Sequence, residues 1–124
     1  MTNTAEIASG APESDVPVPS GASIRVLRGF YEGLEVPVDR NWVVIGRGRS
    51  ADLVIAEATI SRAHAAIGWD GQEFFVQDLG STNGTAVNGS REPRTALSDG
   101  DELQLGKLRL RIALPGSATS ATAA

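Results

Sequence analysis

The strongest constraint on the fold is a series of short apolar segments, several with a two-residue period, separated by glycine-bearing turns. Ile24/Val26, Leu34/Val36/Val38 and Leu108/Leu110/Ile112/Leu114 alternate with polar or charged neighbours, the period of a strand with one buried face. Trp42–Ile45, Leu53–Ile55, His64–Trp69, Phe74–Val76 and Leu103–Leu105 are further short strand candidates. Between these runs stand Glu32-Gly33, Asp70-Gly71, Asn88-Gly89, Asp99-Gly100 and Gly106-Lys107. Asp-Gly and Asn-Gly suit hairpins because both central residues can take positive φ. No amphipathic helix of useful length and no internal repeat is visible. Many short strands with frequent turns predict an all-β sandwich or barrel.

A chain of 124 residues fits one domain. With 41% hydrophobic but only 5% aromatic residues, its core is expected to consist mainly of Val, Ile, Leu and Ala. Residues 1–21 are rich in Ala, Ser, Thr, Pro and Gly and carry Glu6, Glu13 and Asp15 without a base. Such a composition buries too little apolar area to offset ordering entropy, so a disordered acidic tail is expected there. Residues 115–124 read as a second disordered tail, which leaves 22–114 as the domain.

Composition also narrows the function. There is no cysteine, which excludes disulfides and thiolate metal sites, and a single histidine excludes a multi-histidine site. No metal or other cofactor is expected. No apolar run is long enough to cross a bilayer and the N-terminus lacks a secretory layout, so no membrane association is expected and a cytoplasmic protein is the default. The net charge of -4 argues against nucleic-acid binding through a broad basic face. Residues 22–114 hold twelve acids against all eleven bases and are nearly neutral. Ten of those bases are arginine, whose planar fork pairs with carboxylate or phosphate.

Three segments carry more chemistry than strand punctuation needs. They are Gly46-Arg47-Gly48-Arg49, Ser61-Arg62-Ala63-His64, and Asp78-Leu79-Gly80-Ser81-Thr82-Asn83-Gly84-Thr85 followed by Val87-Asn88-Gly89. Each lies at a candidate strand end, where loops can converge at one edge of a sandwich. An arginine can make two parallel charge-assisted bonds to phosphate oxygens. Hydroxyls and turn N–H groups are neutral donors that fit a tetrahedral anion. Taken singly, Arg47 reads equally well as a solvated arginine, Ser61 as the start of a turn, and Asn83-Gly84 as a tight turn. Ser61, His64 and Asp78 include the residue types of a hydrolase triad, but no Gly-x-Ser-x-Gly elbow accompanies them.

In this order, with Leu97…Gly100-Asp101 and Leu105-Gly106 behind them, these blocks closely resemble the forkhead-associated (FHA) family over roughly Ile24 to Leu114. The resemblance implies an FHA/SMAD-like β-sandwich of about eleven strands with flexible termini. It implies a non-enzymatic module that binds phosphothreonine peptides through loops at one end, downstream of Ser/Thr kinases. By that resemblance Arg47, Ser61, Arg62 and Thr82 bind the phosphate, and Asn83 bonds the ligand backbone. Gly46, His64, Gly84 and Asn88 shape the binding loops. The implied partner is a phosphothreonine-containing protein or peptide, a Ser/Thr kinase among the candidates; the sequence leaves the oligomeric state open.

Two further readings accompany the resemblance. Some FHA-like domains in secretion machinery are scaffolds that work without phosphate. Some small bacterial FHA proteins are phosphorylated on an N-terminal threonine that folds back into their own site. Here the tail offers Thr2 and Thr4 and lacks the Thr-Thr motif of those relatives.

Overall fold

The computed structural model describes residues 17–115. The expected disorder of both tails, and Thr2 and Thr4 with it, therefore lies almost wholly outside the described residues. Eleven strands follow in chain order: β1 Ser23–Val26, β2 Glu35–Pro37, β3 Trp42–Gly46, β4 Leu53–Val54, β5 Ala65–Trp69, β6 Phe74–Asp78, β7 Thr85–Val87, β8 Ser90–Arg91, β9 Arg94–Ala96, β10 Glu102–Leu105 and β11 Leu108–Ala113. They form two sheets, ordered β2-β1-β11-β10-β7-β8 and β4-β3-β5-β6-β9. All pairings are antiparallel except β3 with β4. The first and last strands lie side by side, with Ile24 opposite Ile112.

The core lies between the sheets and is aliphatic, as the composition suggests. Ile24 and Val26 of β1, Val43 and Ile45 of β3, Ile67 of β5, Leu103 and Leu105 of β10, and Leu110 and Ile112 of β11 all belong to it. Phe74 is its one fully buried ring among the described residues. Burying a side chain of this size contributes about 1.5–3 kcal/mol, so this layer is the frame from which the loops project. The outer face of the second sheet carries its own apolar patch. There the Phe75 ring lies so close over Gly68 that a Cβ would enter it, and the Arg94 guanidinium covers the ring at 3.7 Å.

Three sequence expectations need correction. The alternation of Leu34, Val36 and Val38 suggested three inward side chains, yet Leu34 is exposed and β2 begins one residue later. Leu34 instead closes the β1–β2 hairpin through its backbone, donating to the Tyr31 carbonyl and accepting from the Val26 N–H. His64 precedes β5 and does not start it. Of the Asp-Gly and Asn-Gly pairs, only Asn88-Gly89 has both residues at positive φ, at 50° and 87°. The Asp70 carboxylate instead accepts the Gln72 and Glu73 N–H groups, which fixes that turn through its side chain.

Candidate functional site

One end of the sandwich gathers the segments singled out in the sequence. β3 ends there at Gly46, β5 starts there after His64, and β6 arrives with Asp78 opposite Ala65. Backbone bonds then pin the first two segments together. The Arg47 N–H donates to the Ser61 carbonyl and the Gly48 N–H to the Arg62 carbonyl, each at 3.0 Å. Such close approach requires glycine: a Cβ on buried Gly46 would strike the Arg62 carbonyl oxygen. Arg47 and Ser61 are neighbours because the backbone leaves them no alternative.

The third segment is held by the same neighbourhood. The Ser61 hydroxyl oxygen accepts the Thr82 N–H at 3.1 Å. Asn83 donates its side-chain amide to the Thr59 carbonyl at 2.7 Å. His64 lies beneath, with no solvent exposure. Its Nδ1 faces the Ser61 N–H at 3.0 Å and must accept, so Nε2 carries the hydrogen and donates to the Gly84 carbonyl at 2.8 Å. One neutral imidazole thus ties the serine loop to the Asn83-Gly84 turn. Gly84 takes φ 82°, and the Arg91 guanidinium occupies the space a Cβ would fill. Asn88 is not part of this cluster. It sits at the far end of β7, where its side chain bonds the Asp101 carboxylate and the Glu102 N–H.

Two residues outside the expected site set prove central to its rigidity. The Asp78 carboxylate accepts the N–H groups of Gly80 and Ser81 and the hydroxyls of Ser81 and Thr85. Partial burial pushes its carboxyl upward, but these hydrogen bonds outweigh it and hold the group below its ordinary value of 3.8. The Thr59 hydroxyl donates to Glu57 and accepts the Lys107 N–H, while its carbonyl receives Asn83. The β10–β11 turn packs on it, for a Cβ on Gly106 would run into the Thr59 carbonyl. In the sequence Asp78 stands out as the first residue of its motif and as a possible triad acid, never as a loop brace; Thr59 gives no sequence signal.

What remains unused defines the chemistry. Arg47 spends only Nε, donated to the Ile60 carbonyl at 3.0 Å, so both terminal amino groups face solvent without a protein partner. Arg62 is exposed and forms no ion pair. The hydroxyl hydrogens of Ser61 and Thr82 have no protein acceptor. By contrast Arg40, Arg94, Arg109 and Arg111 all pair with carboxylates. The cluster is a set of unpaired donors around guanidinium charge, which suits a tetrahedral oxyanion. Among the described residues no group of three or more His, Asp or Glu could hold a metal. Nor do Ser61, His64 and Asp78 form a relay: both ring nitrogens are committed to backbone groups, and Asp78 bonds Ser81 and Thr85.

The FHA domain profile matches residues 43–106. The chain belongs to the FHA domain family. It is 43% identical to an oxoglutarate dehydrogenase inhibitor of Corynebacterium diphtheriae, over 83% of this chain and 73% of that protein. It is 39% identical to the glycogen accumulation regulator GarA of Mycolicibacterium smegmatis, over 75% of this chain but only 60% of that protein. Among solved structures, an FHA domain studied for phosphothreonine-dependent interactions superposes with a TM-score of 0.70 at 32% identity, covering 77% of this chain and 97% of that one. The FhaA FHA domain, solved in complex with the intracellular domain of another protein, superposes with a TM-score of 0.68 at 33% identity, covering 74% of this chain and 99% of that one. These likenesses agree with the two-sheet, eleven-strand architecture of this FHA domain.

Proposed function

We propose that this FHA domain is a phosphothreonine-dependent protein-interaction module that recruits or regulates partners downstream of Ser/Thr kinases. The observation that supports the reading is that Arg47, whose two amino groups have no protein partner, is bonded through its backbone to Ser61, whose hydroxyl oxygen in turn holds the Thr82 N–H. A phosphate brings about -1.5 to -2 charge and three acceptor oxygens. Arg47 supplies the charge complement, Ser61 and Thr82 direct donors to the remaining oxygens, and exposed Arg62 adds a second cation. The Asn83 amide oxygen has no protein donor and is available to a ligand backbone N–H.

On this reading the chain acts by binding and not by catalysis: both His64 ring nitrogens are committed to backbone groups, and the Asp78 carboxylate already accepts four donors. The names of its relatives, an inhibitor of an enzyme and a regulator, support a regulatory role. Among the described residues no helix is long and apolar enough to cross a membrane, and the reading places the domain in the cytoplasm with kinase-modified partners.

Titration of a phosphothreonine peptide into wild type and Arg47→Ala tests the proposal. Two charge-assisted hydrogen bonds contribute about 1.5–3 kcal/mol each, so the variant should bind at least about a hundred-fold more weakly. Undiminished affinity refutes the mechanism. Partner capture that survives phosphatase treatment would replace it with a phosphate-independent scaffold.

A further inference from the structure

Among the described residues only three large apolar side chains are exposed: Phe30 at 94%, Val54 at 46% and Leu34 at 38%. They are not scattered. Phe30 and Leu34 lie on the β1–β2 hairpin and Val54 on β4, and one hydrogen bond joins these segments, from the Ala56 N–H to the Tyr31 hydroxyl at 3.2 Å. The hairpin rises at the end of the sandwich that carries Arg47 and Ser61. Leu27, just past β1, donates to the Arg109 carbonyl beside the β10–β11 turn, and that turn packs on Thr59.

The hairpin is ordered without Phe30. Gly29 and Gly33 take positive φ at 98° and 92°, and backbone bonds close it from Glu32 to Gly29, from Gly33 to Val26 and from Leu34 to Tyr31. Phe30 itself makes only an edge contact with the Tyr31 ring at 5.1 Å between centroids. A phenyl ring displayed on a braced turn contributes almost nothing to folding. It is pre-organised to bury apolar area against something else.

We infer that Phe30, on the hairpin it shares with Leu34, is a second anchor for the phosphorylated partner and takes an apolar side chain near the phosphothreonine. This rests on the phosphothreonine reading above. Continuity with the phosphate cluster identifies the occupant. Ala56 stands five residues before Ser61, a separation of at most about 17 Å for an extended chain. An extended peptide held at Ser61 covers the same distance in about five residues. Phe30 lies further off by the Tyr31 side chain and one residue, so the apolar residue falls within about eight positions of the phosphothreonine.

A peptide library with a fixed phosphothreonine and eight randomised positions on each side, selected on the full chain, tests this. Wild type should enrich Leu, Ile, Met or Phe at one position. The enriched peptide should bind Phe30→Ala about ten-fold more weakly, as expected for one partly buried ring. Replacing the peptide's apolar residue by serine should cost wild type a similar factor and cost Phe30→Ala almost nothing. Independent, additive losses overturn the inference, as does the absence of apolar enrichment in wild type, while peptide binding that depends on Arg47 leaves the phosphothreonine reading standing. Failure of wild type to bind any phosphothreonine peptide overturns both. A dimer that dissociates in Phe30→Ala with peptide selection unchanged overturns the inference in favour of self-association. Because Phe30 is exposed, an unchanged urea midpoint should accompany the substitution.

Discussion

His64 offers the sharpest test of how this site is built. Its imidazole is fully buried and bonds two backbone groups from different loops, the Ser61 N–H and the Gly84 carbonyl. Substitution by phenylalanine fills the space but removes both partners. A buried backbone group left unpaired costs about 1–3 kcal/mol. Gly84 is buried, whereas Ser61 is half-buried and regains some solvent, so the sum falls near about 2–4 kcal/mol. For a domain stable by about 5–15 kcal/mol, that is a large share. Urea unfolding of wild type, His64→Phe and His64→Ala measures it. With a slope of about 1–3 kcal/mol per molar, the Phe variant's midpoint should fall by about 1–3 M. His64→Ala adds a cavity and should be at least as destabilised. A Phe variant within about 0.5 kcal/mol of wild type, beside a strongly destabilised Ala variant, would mean that His64 acts only through packing, and the bracing argument would be wrong.

Other expectations follow from the same geometry. Gly46→Ala drives a Cβ into the Arg62 carbonyl; it should cost about 1–3 kcal/mol in urea melts and weaken phosphopeptide binding, whereas Gly100→Ala, at φ 88° on the turn before β10, should strain the backbone and leave affinity intact. Asp78, held below its ordinary 3.8 in the folded chain, contributes stability that is complete above that value and lost as pH falls through the lower folded value; Asp78→Asn should flatten the acid limb of a stability–pH curve. Asn88→Ala breaks two side-chain bonds and strains a residue at φ 50°; a loss of about 1–3 kcal/mol with unchanged peptide affinity would place it outside the site. Phosphoserine peptides should bind several-fold to about a hundred-fold more weakly than phosphothreonine ones if the threonine methyl is buried.

The fold was legible where one face of a strand must be buried. Ile24 and Val26, or Leu108 through Ile112, announce themselves because each second residue enters the core. The β7, β8 and β9 strands were not recognised. Ser90 and Arg91 are both exposed and Arg94–Ala96 is a three-residue edge strand with two exposed positions. Nothing in such short polar segments distinguishes strand from loop until Val87 has paired with Leu103 and Phe75 with Ala96. Leu34 shows the converse error. Its alternation with Val36 is real, but hairpin closure decides its position and leaves the side chain in solvent.

The candidate site was legible for a different reason and to a different depth. Donor chemistry draws attention to the three loop segments, but it is the resemblance to the FHA family that singles out Arg47, Ser61, Arg62, Thr82 and Asn83 within them. The residues that hold those donors in place obey no such rule. Thr59 joins Glu57 two residues away to Asn83 and Lys107, which stand 24 and 48 residues along the chain. Asp78 satisfies four donors, three from Gly80 and Ser81 in the turn that follows it and one from Thr85 at the start of β7, using a carboxylate that spacing alone cannot distinguish from any surface acid. Their work is to hold donors fixed before any ligand arrives, so that binding does not have to order the loops first. That role depends on loops brought together by both sheets, and a contact spanning 48 residues has no local sequence signature. If the argument holds, Thr59→Val should weaken phosphopeptide binding while keeping the side-chain shape: the variant keeps the carbonyl that Asn83 uses but loses the hydroxyl that fixes its loop to Glu57 and Lys107. Titration with one phosphothreonine peptide measures this, and affinity equal to wild type would show that the Asn83 turn needs no such support.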